Sequence, residues 1–281
     1  MQTAIQLPGK LLHNEHAYGN LRLKVHNNTE EIMMKMSSPS SMSRFAAFST
    51  LSAFSALAML ASPASAQTAG SNVFNVGWFH LYTDDSSQPL TRTSPPPSFT
   101  YAGSGSSVGS ADTLGIAYTR YLTDHFSLTL DAGVPPKFKL DGSGTLAPLG
   151  RLGTAKQWSP AIVAKWHFGE PTQKWRPYVG VGVTHVWYSS VNLSPSLQGL
   201  VTGGTGTATA NLSSSWAPVA NVGVNYSLNE KWSIGFSLSY IPLDTDAEII
   251  GRNAAGTVIS RHNTNLTLDP YVGFLSIGYR F

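Results

Sequence analysis

The chain offers few residues whose types and spacing could do covalent chemistry. His125 and Ser127 form its one His-x-Ser spacing, and a base two residues from a hydroxyl is the minimum for an activated nucleophile. In "TDHFSLTL", however, the pair falls on a polar turn and the first residues of a strand, where a solvated turn histidine is the expectation. His80, shortly before Asp84, Asp85 and Ser86, is a second candidate, but His and Asp gathered near a loop are common. Phosphate-cradling, HExxH and calcium-loop patterns are absent, and Gly-rich "VTGGTGTATA" reads as a flexible outer loop. With no cysteine, disulfides and thiolate metal sites are excluded. We expect no metal, no cofactor and no enzyme.

The residues that remain are placed by strands. In "WSIGFSLSY", Trp232, Ile234, Phe236, Leu238 and Tyr240 share one face, and Ser233, Gly235, Ser237 and Ser239 the other. That period of two defines a strand. The pattern recurs in "VFNVGWF", "LGIAYT", "FSLTLDAG", "AIVAKWHF", "YVGVGV", "NVGVNYSL" and the closing "GFLSIGYRF". Eight alternating segments, each with an apolar side and aromatic ends, predict an all-β fold: an eight-stranded antiparallel transmembrane β-barrel. Short polar connections join strands two and three, four and five, and six and seven. Long stretches rich in Gly, Ser, Pro and Thr follow strands one, three, five and seven. This asymmetry predicts short periplasmic turns and long extracellular loops.

Such a barrel explains the end of the chain. The last strand must pair with the first along its length, because lipid cannot satisfy an open strand edge. Phe281 and Tyr279 then belong to the periplasmic aromatic girdle.

The bulk numbers agree with a membrane destination. Of 281 residues only 12% are charged, about half the usual share of a soluble domain. "MSRFAAFSTLSAFSALAMLASPASAQ" reads as a secretory signal, with Arg44, an apolar run from Phe45 to Leu60, and cleavage after Ala66. We therefore divide the chain into an upstream extension or disordered tail (1–35), a signal peptide (36–66) and the barrel (67–281). The barrel carries 13 Lys and Arg against 12 Asp and Glu, so nothing points to nucleic acid.

Several runs resemble one family. "RPYVGVGV", "SSSWAPVANVGVNYSLNEKWSIGFSLSYIPLDTDA", "AGVPPKFKLDG" with "LGRLG", and "LDPYVGFLSIGYRF" are similar, in register from Asn72 to Phe281, to the OmpW family of outer-membrane proteins and its AlkL branch. The first long loop departs most. The resemblance implies an eight-stranded barrel in the Gram-negative outer membrane and passive uptake of small hydrophobic molecules through an apolar lumen that opens sideways. It also implies that Tyr279 and Phe281 form the signal read by the barrel assembly machinery.

Eight strands leave an interior that side chains can fill or that holds one small ligand. Alternation turns small residues inward, among them Gly115, Gly180, Gly182 and Gly235, which would leave room. It also turns Phe79 and Leu81 of the first strand towards Val272 and Phe274 of the last; these either pack together or line a cavity that prefers oily ligands. Arg120, Asp131, Lys165, His167 and Arg280 are expected to face inward near the periplasmic side, with Asp131 and Lys165 able to pair. Pro135 and Pro136 cannot donate to a ladder and mark either a strand end or a lateral gate. The competing expectation is a surface protein whose Lys137, Lys139, Arg151 and Arg261 hold lipopolysaccharide phosphates or serve phages and bacteriocins.

Overall fold

The computed structural model describes residues 67–281; the expected extension and signal peptide lie outside the described residues. Eight strands form the barrel: β1 (Asn72–Tyr82), β2 (Ala111–Tyr121), β3 (Phe126–Gly133), β4 (Ala161–His167), β5 (Trp175–Leu193), β6 (Ser215–Ser227), β7 (Trp232–Tyr240) and β8 (Tyr271–Arg280). Each pairs antiparallel with its sequence neighbours, and β1 pairs with β8 from Val73 opposite Arg280 to Tyr82 opposite Tyr271. The cylinder is closed, as a sheet in hydrocarbon must be.

The alternation predicted from sequence sorts the two faces. Leu114, Val181 and Ile277 project outward, 57%, 70% and 55% exposed, while Ala117, Thr129 and Ser237 on alternate positions are buried inside. Aromatic side chains ring both ends of this band, with Phe74, Trp175, Trp232 and Tyr279 below and Trp158, Trp216 and Tyr271 above. The three short turns lie at the lower end and are fixed locally. Thr123 Oγ1 accepts from the Phe126 N–H, and Asn229 Oδ1 accepts from the N–H groups of Lys231 and Trp232.

The long connections differ from the expected loops by folding into an extension of the barrel. A hairpin of Lys137–Gly144 and Arg151–Trp158 pairs with the upper half of β5, where Trp158 stands opposite Trp187. Gly206–Leu212, Asp244–Asn253 and Val258–Thr267 build a second sheet that Thr91–Ser94 joins. "VTGGTGTATA" is thus not a flexible loop: its second half is a strand, and its start ends a helix, α1 (Pro195–Thr202). Ser194 caps that helix by accepting from the Leu197 N–H, Pro195 opens it, and Gly203 at φ +68° closes it. Leu90, Leu146, Leu152, Leu197, Val201 and Ile249 give this outer layer a core of its own.

Candidate functional site

Among the described residues, three cavities follow one another from the outer extension down the barrel. The uppermost, about 110 Å³, lies inside the outer extension; Leu90, Phe138, Leu140, Tyr188, Leu212 and Leu268 are among its largely apolar lining. A second, about 80 Å³, sits where barrel meets extension and touches Phe79, Leu81, Asp131, Pro135, Pro136, Gln157 and Val272. The third, about 30 Å³, lies near the periplasmic end among Asn75, Thr119, Tyr121, Lys165, His167 and Asn225.

The hydrophobic set read from the first and last strands comes together at the barrel's closure. Phe79 is opposite Phe274 and Leu81 opposite Val272, and the two phenyl rings stack with centroids 4.1 Å apart. Leu81, Ala111 and Phe138 continue this layer inward. Phe138, which the sequence did not single out, is its contribution from the outer hairpin. The expected room beside small residues is partly taken. A Cβ on Gly115 would land 2.0 Å from the Phe79 ring, so the glycine is where that ring fits. Gly180 is likewise covered, by Val163 and Lys165, and neither Gly180 nor Gly182 borders a described cavity, whereas Gly235 lines the lowest one. The correction has a simple cause: in a narrow barrel a missing side chain is filled by a neighbour's long one.

Beside the middle cavity the wall is interrupted. The β3–β4 ladder runs up to Asp131 opposite Ala161, and the seam resumes where the Gln157 N–H donates to the Pro136 carbonyl at 3.1 Å. Of the two residues between them Val134 is exposed and Pro135 half-buried, and Thr113 Oγ1 holds the Val134 carbonyl from the opposite side at 2.6 Å. Proline at 135 and 136 removes two donors from this stretch.

The expected periplasmic-side charges need three corrections. Arg120 faces outward: it shares the parity of Leu114, Ile116 and Tyr118, is exposed, and donates to Asn72 Oδ1 at 3.0 Å, while Tyr121 takes the inward place. Asp131 is not low in the barrel but two residues from the outer end of β3, bordering the middle cavity. Among the described residues Asp131 and Lys165 form no ion pair, because register sets Lys165 opposite Ser127 and Asp131 opposite Ala161. Lys165 instead places Nζ 5.0 Å over the Tyr178 ring. His167 and Arg280 occupy inward positions, His167 buried and Arg280 half-buried, its N–H bound to the Lys231 carbonyl.

The residue that sequence reasoning missed is Arg176. It is fully buried, and its guanidinium donates to the carbonyls of Gln67 (2.8 Å) and Asp124, tying the start of the described chain and one periplasmic turn to β5. Its parity with Gly180 and Gly182 would have placed it inside.

The nucleophile candidates are elsewhere engaged. Ser127 Oγ meets Nε2 of buried His167 at 2.8 Å inside the barrel, not His125, and His167 Nδ1 has no partner among the described residues. His125 turns to the His167 carbonyl and stacks on Trp166. His80 faces outward, its Nδ1 2.8 Å from Asp112 Oδ1, which also accepts from Trp78 Nε1. Asp85 lies apart from it, accepting from the Val108 N–H, and burial raises its pKa above the ordinary carboxylate value. At the opposite rim Tyr279 and Phe281 point outward, Tyr279 edge-on to Trp232 with centroids 4.9 Å apart.

A closed eight-stranded cylinder with an apolar outer band, aromatic rims and short turns at one end is an outer-membrane β-barrel. The chain belongs to the OmpW family, whose model matches residues 68–281. It is 32% identical to outer membrane protein W of Salmonella typhimurium over 177 residues, covering 63% of this chain and 76% of that protein. It is 26% identical to outer membrane protein AlkL of Ectopseudomonas oleovorans over 62% of this chain and 68% of the relative. The crystal structure of OprG from Pseudomonas aeruginosa superposes with a TM-score of 0.67 at 24% identity, covering 77% of this chain and 98% of OprG, which shows the shared fold. The protein is therefore a Gram-negative outer-membrane barrel.

Proposed function

We propose that this protein is a passive channel for small hydrophobic molecules, taking them from outside into the outer cavity and releasing them sideways through the interrupted β3–β4 seam. The observation that carries this reading is the outer cavity's lining. Polar residues such as Gln88, Gln157 and Asn192 border it, but the surface facing the space is almost wholly apolar, so an oily solute gains about 25 cal/mol for each Å² it removes from water. Dry cavities of about 150 Å³ lined by such residues hold a benzene-sized molecule, and small motions of the outer hairpins would admit one here.

The lower barrel supports the same direction. Below the Phe79–Phe274 stack the lumen narrows to about 30 Å³ among polar groups, beneath which Arg176 ties down the chain. An apolar solute gains nothing by going down. The middle cavity, bordered by Pro135 and Pro136, gives it a route to the acyl chains. Phe79, Leu81, Val272 and Phe274 then act as the base of the path and Pro135–Pro136 as its gate. Tyr279 and Phe281 we assign to recognition by the assembly machinery, a role their exposure permits.

Vesicles carrying the purified barrel test the reading. Uptake of a labelled alkane or small arene should rise above that of empty vesicles, while swelling in sugar and salt stays at background. Large nonselective passage of ions and sugars would overturn it.

A further inference from the structure

Lys137 and Lys156 stand directly opposite each other in the outer hairpin, both exposed on its outward face. Like charges in such a cross-strand pair oppose each other at close range. Lys139 adds a third exposed cation two residues along the same face. Among the described residues none of the three makes an ion pair, although two other cations of the outer extension do: Arg151 of the same hairpin is held by Asp141, and Arg261 of the second sheet by Glu248. The hairpin thus concentrates uncompensated positive charge on one patch.

Its height in the membrane identifies what would neutralise it. Two residues below Lys156 on the same strand is Trp158, stacked on Trp187 with ring planes 2° apart. His185 continues the run, its ring 5.4 Å from that of Trp187 and 4.6 Å from that of Trp216. A tryptophan belt marks the boundary between hydrocarbon and headgroups. A two-residue step along a strand rises about 7 Å, so the lysines reach the headgroup layer itself. In the outer leaflet of this membrane that layer carries the phosphates of lipopolysaccharide.

We propose that Lys137, Lys139 and Lys156 form a docking site for the phosphate groups of outer-leaflet lipopolysaccharide, with the Trp158, Trp187 and Trp216 belt beneath them against its acyl chains. The anion relieves the Lys137–Lys156 repulsion, and the site anchors the hairpin that roofs the outer cavity. It stands independently of any transport role.

The test uses the protein purified from outer membranes in detergent micelles, titrated with lipopolysaccharide, with the same glycolipid stripped of its phosphates, and with phosphatidylglycerol. The comparison is with a K137Q/K139Q/K156Q variant and a K174Q/K231Q control in the periplasmic turns, each shown folded by its shifted mobility when unheated. Three lysines worth about fivefold each at an anionic surface predict roughly 100-fold weaker lipopolysaccharide binding by the triple variant. The control should bind as the parent does, and the dephosphorylated glycolipid should bind the parent as weakly as lipopolysaccharide binds the triple variant. Unchanged affinity in the triple variant overturns the site. So does equal binding of the dephosphorylated glycolipid, or of phosphatidylglycerol, by the parent.

Discussion

Phe79 and Phe274 face each other across the β1–β8 closure, their rings stacked at 4.1 Å with planes 24° apart. Phe79 lies over Gly115 of the next strand, so three strands meet at one aromatic contact between the middle and lowest cavities.

That contact makes Gly115 a sensitive position. Gly115→Ala puts a methyl into the Phe79 ring and should cost about 1–3 kcal/mol, the usual penalty for overpacking. Adding Phe79→Leu should recover part of the loss. Denaturant unfolding of the single and double variants in lipid measures the coupling; additive losses would mean that the two residues do not share the space.

Arg176 should resist conservative replacement. A lysine ammonium cannot reproduce the guanidinium fork that reaches two backbone carbonyls at once, so Arg176→Lys should cost about 2 kcal/mol or more. Hydrogen exchange would show the loss at residues 67–71 and the 122–125 turn. Protection equal to the parent's would refute the clamp.

His262 in the outer sheet confers a pH dependence. Its ring is buried, neither nitrogen has a partner among the described residues, and burial with Arg92 nearby lowers its pKa. The unfolded chain then takes up a proton that the folded sheet resists. Stability is fully present above the ordinary histidine pKa of about 6.5 and is lost as pH falls below it. Thermal midpoints of the outer sheet should drop on acidification in the parent and much less in His262→Phe; parallel titrations would contradict this.

The sequence showed the barrel plainly because hydrocarbon imposes a strict rule. Trp232 to Tyr240 alternates because one face meets lipid, and it is the recurrence of that pattern in eight segments that separates a barrel from a soluble sandwich. The same rule places Arg120 outward with Tyr118, and ignoring it misassigns that residue. Gly115 and Gly180 were legible as inward but not as filled, since the side chains covering them come from other strands. The outer extension was hidden for a different reason. Gly206–Leu212 alternates Thr with Ala, too small a contrast to signal a strand, and its partner lies some 40 residues away. Pro135 and Pro136 were visible as a break, but whether a break is a strand end or a gap depends on what stands opposite.

The proposed exit is tested most directly by stapling the seam. Pro136→Cys with Gln157→Cys locks the hydrogen-bonded pair that bounds the gap on its outer side, so that the gap cannot widen to pass a solute, in a chain with no other cysteine. Uptake of a labelled hydrocarbon by vesicles should fall several-fold when the pair is oxidised and return on reduction. Uptake that ignores the staple, in a protein shown to be crosslinked and folded, would contradict the lateral path.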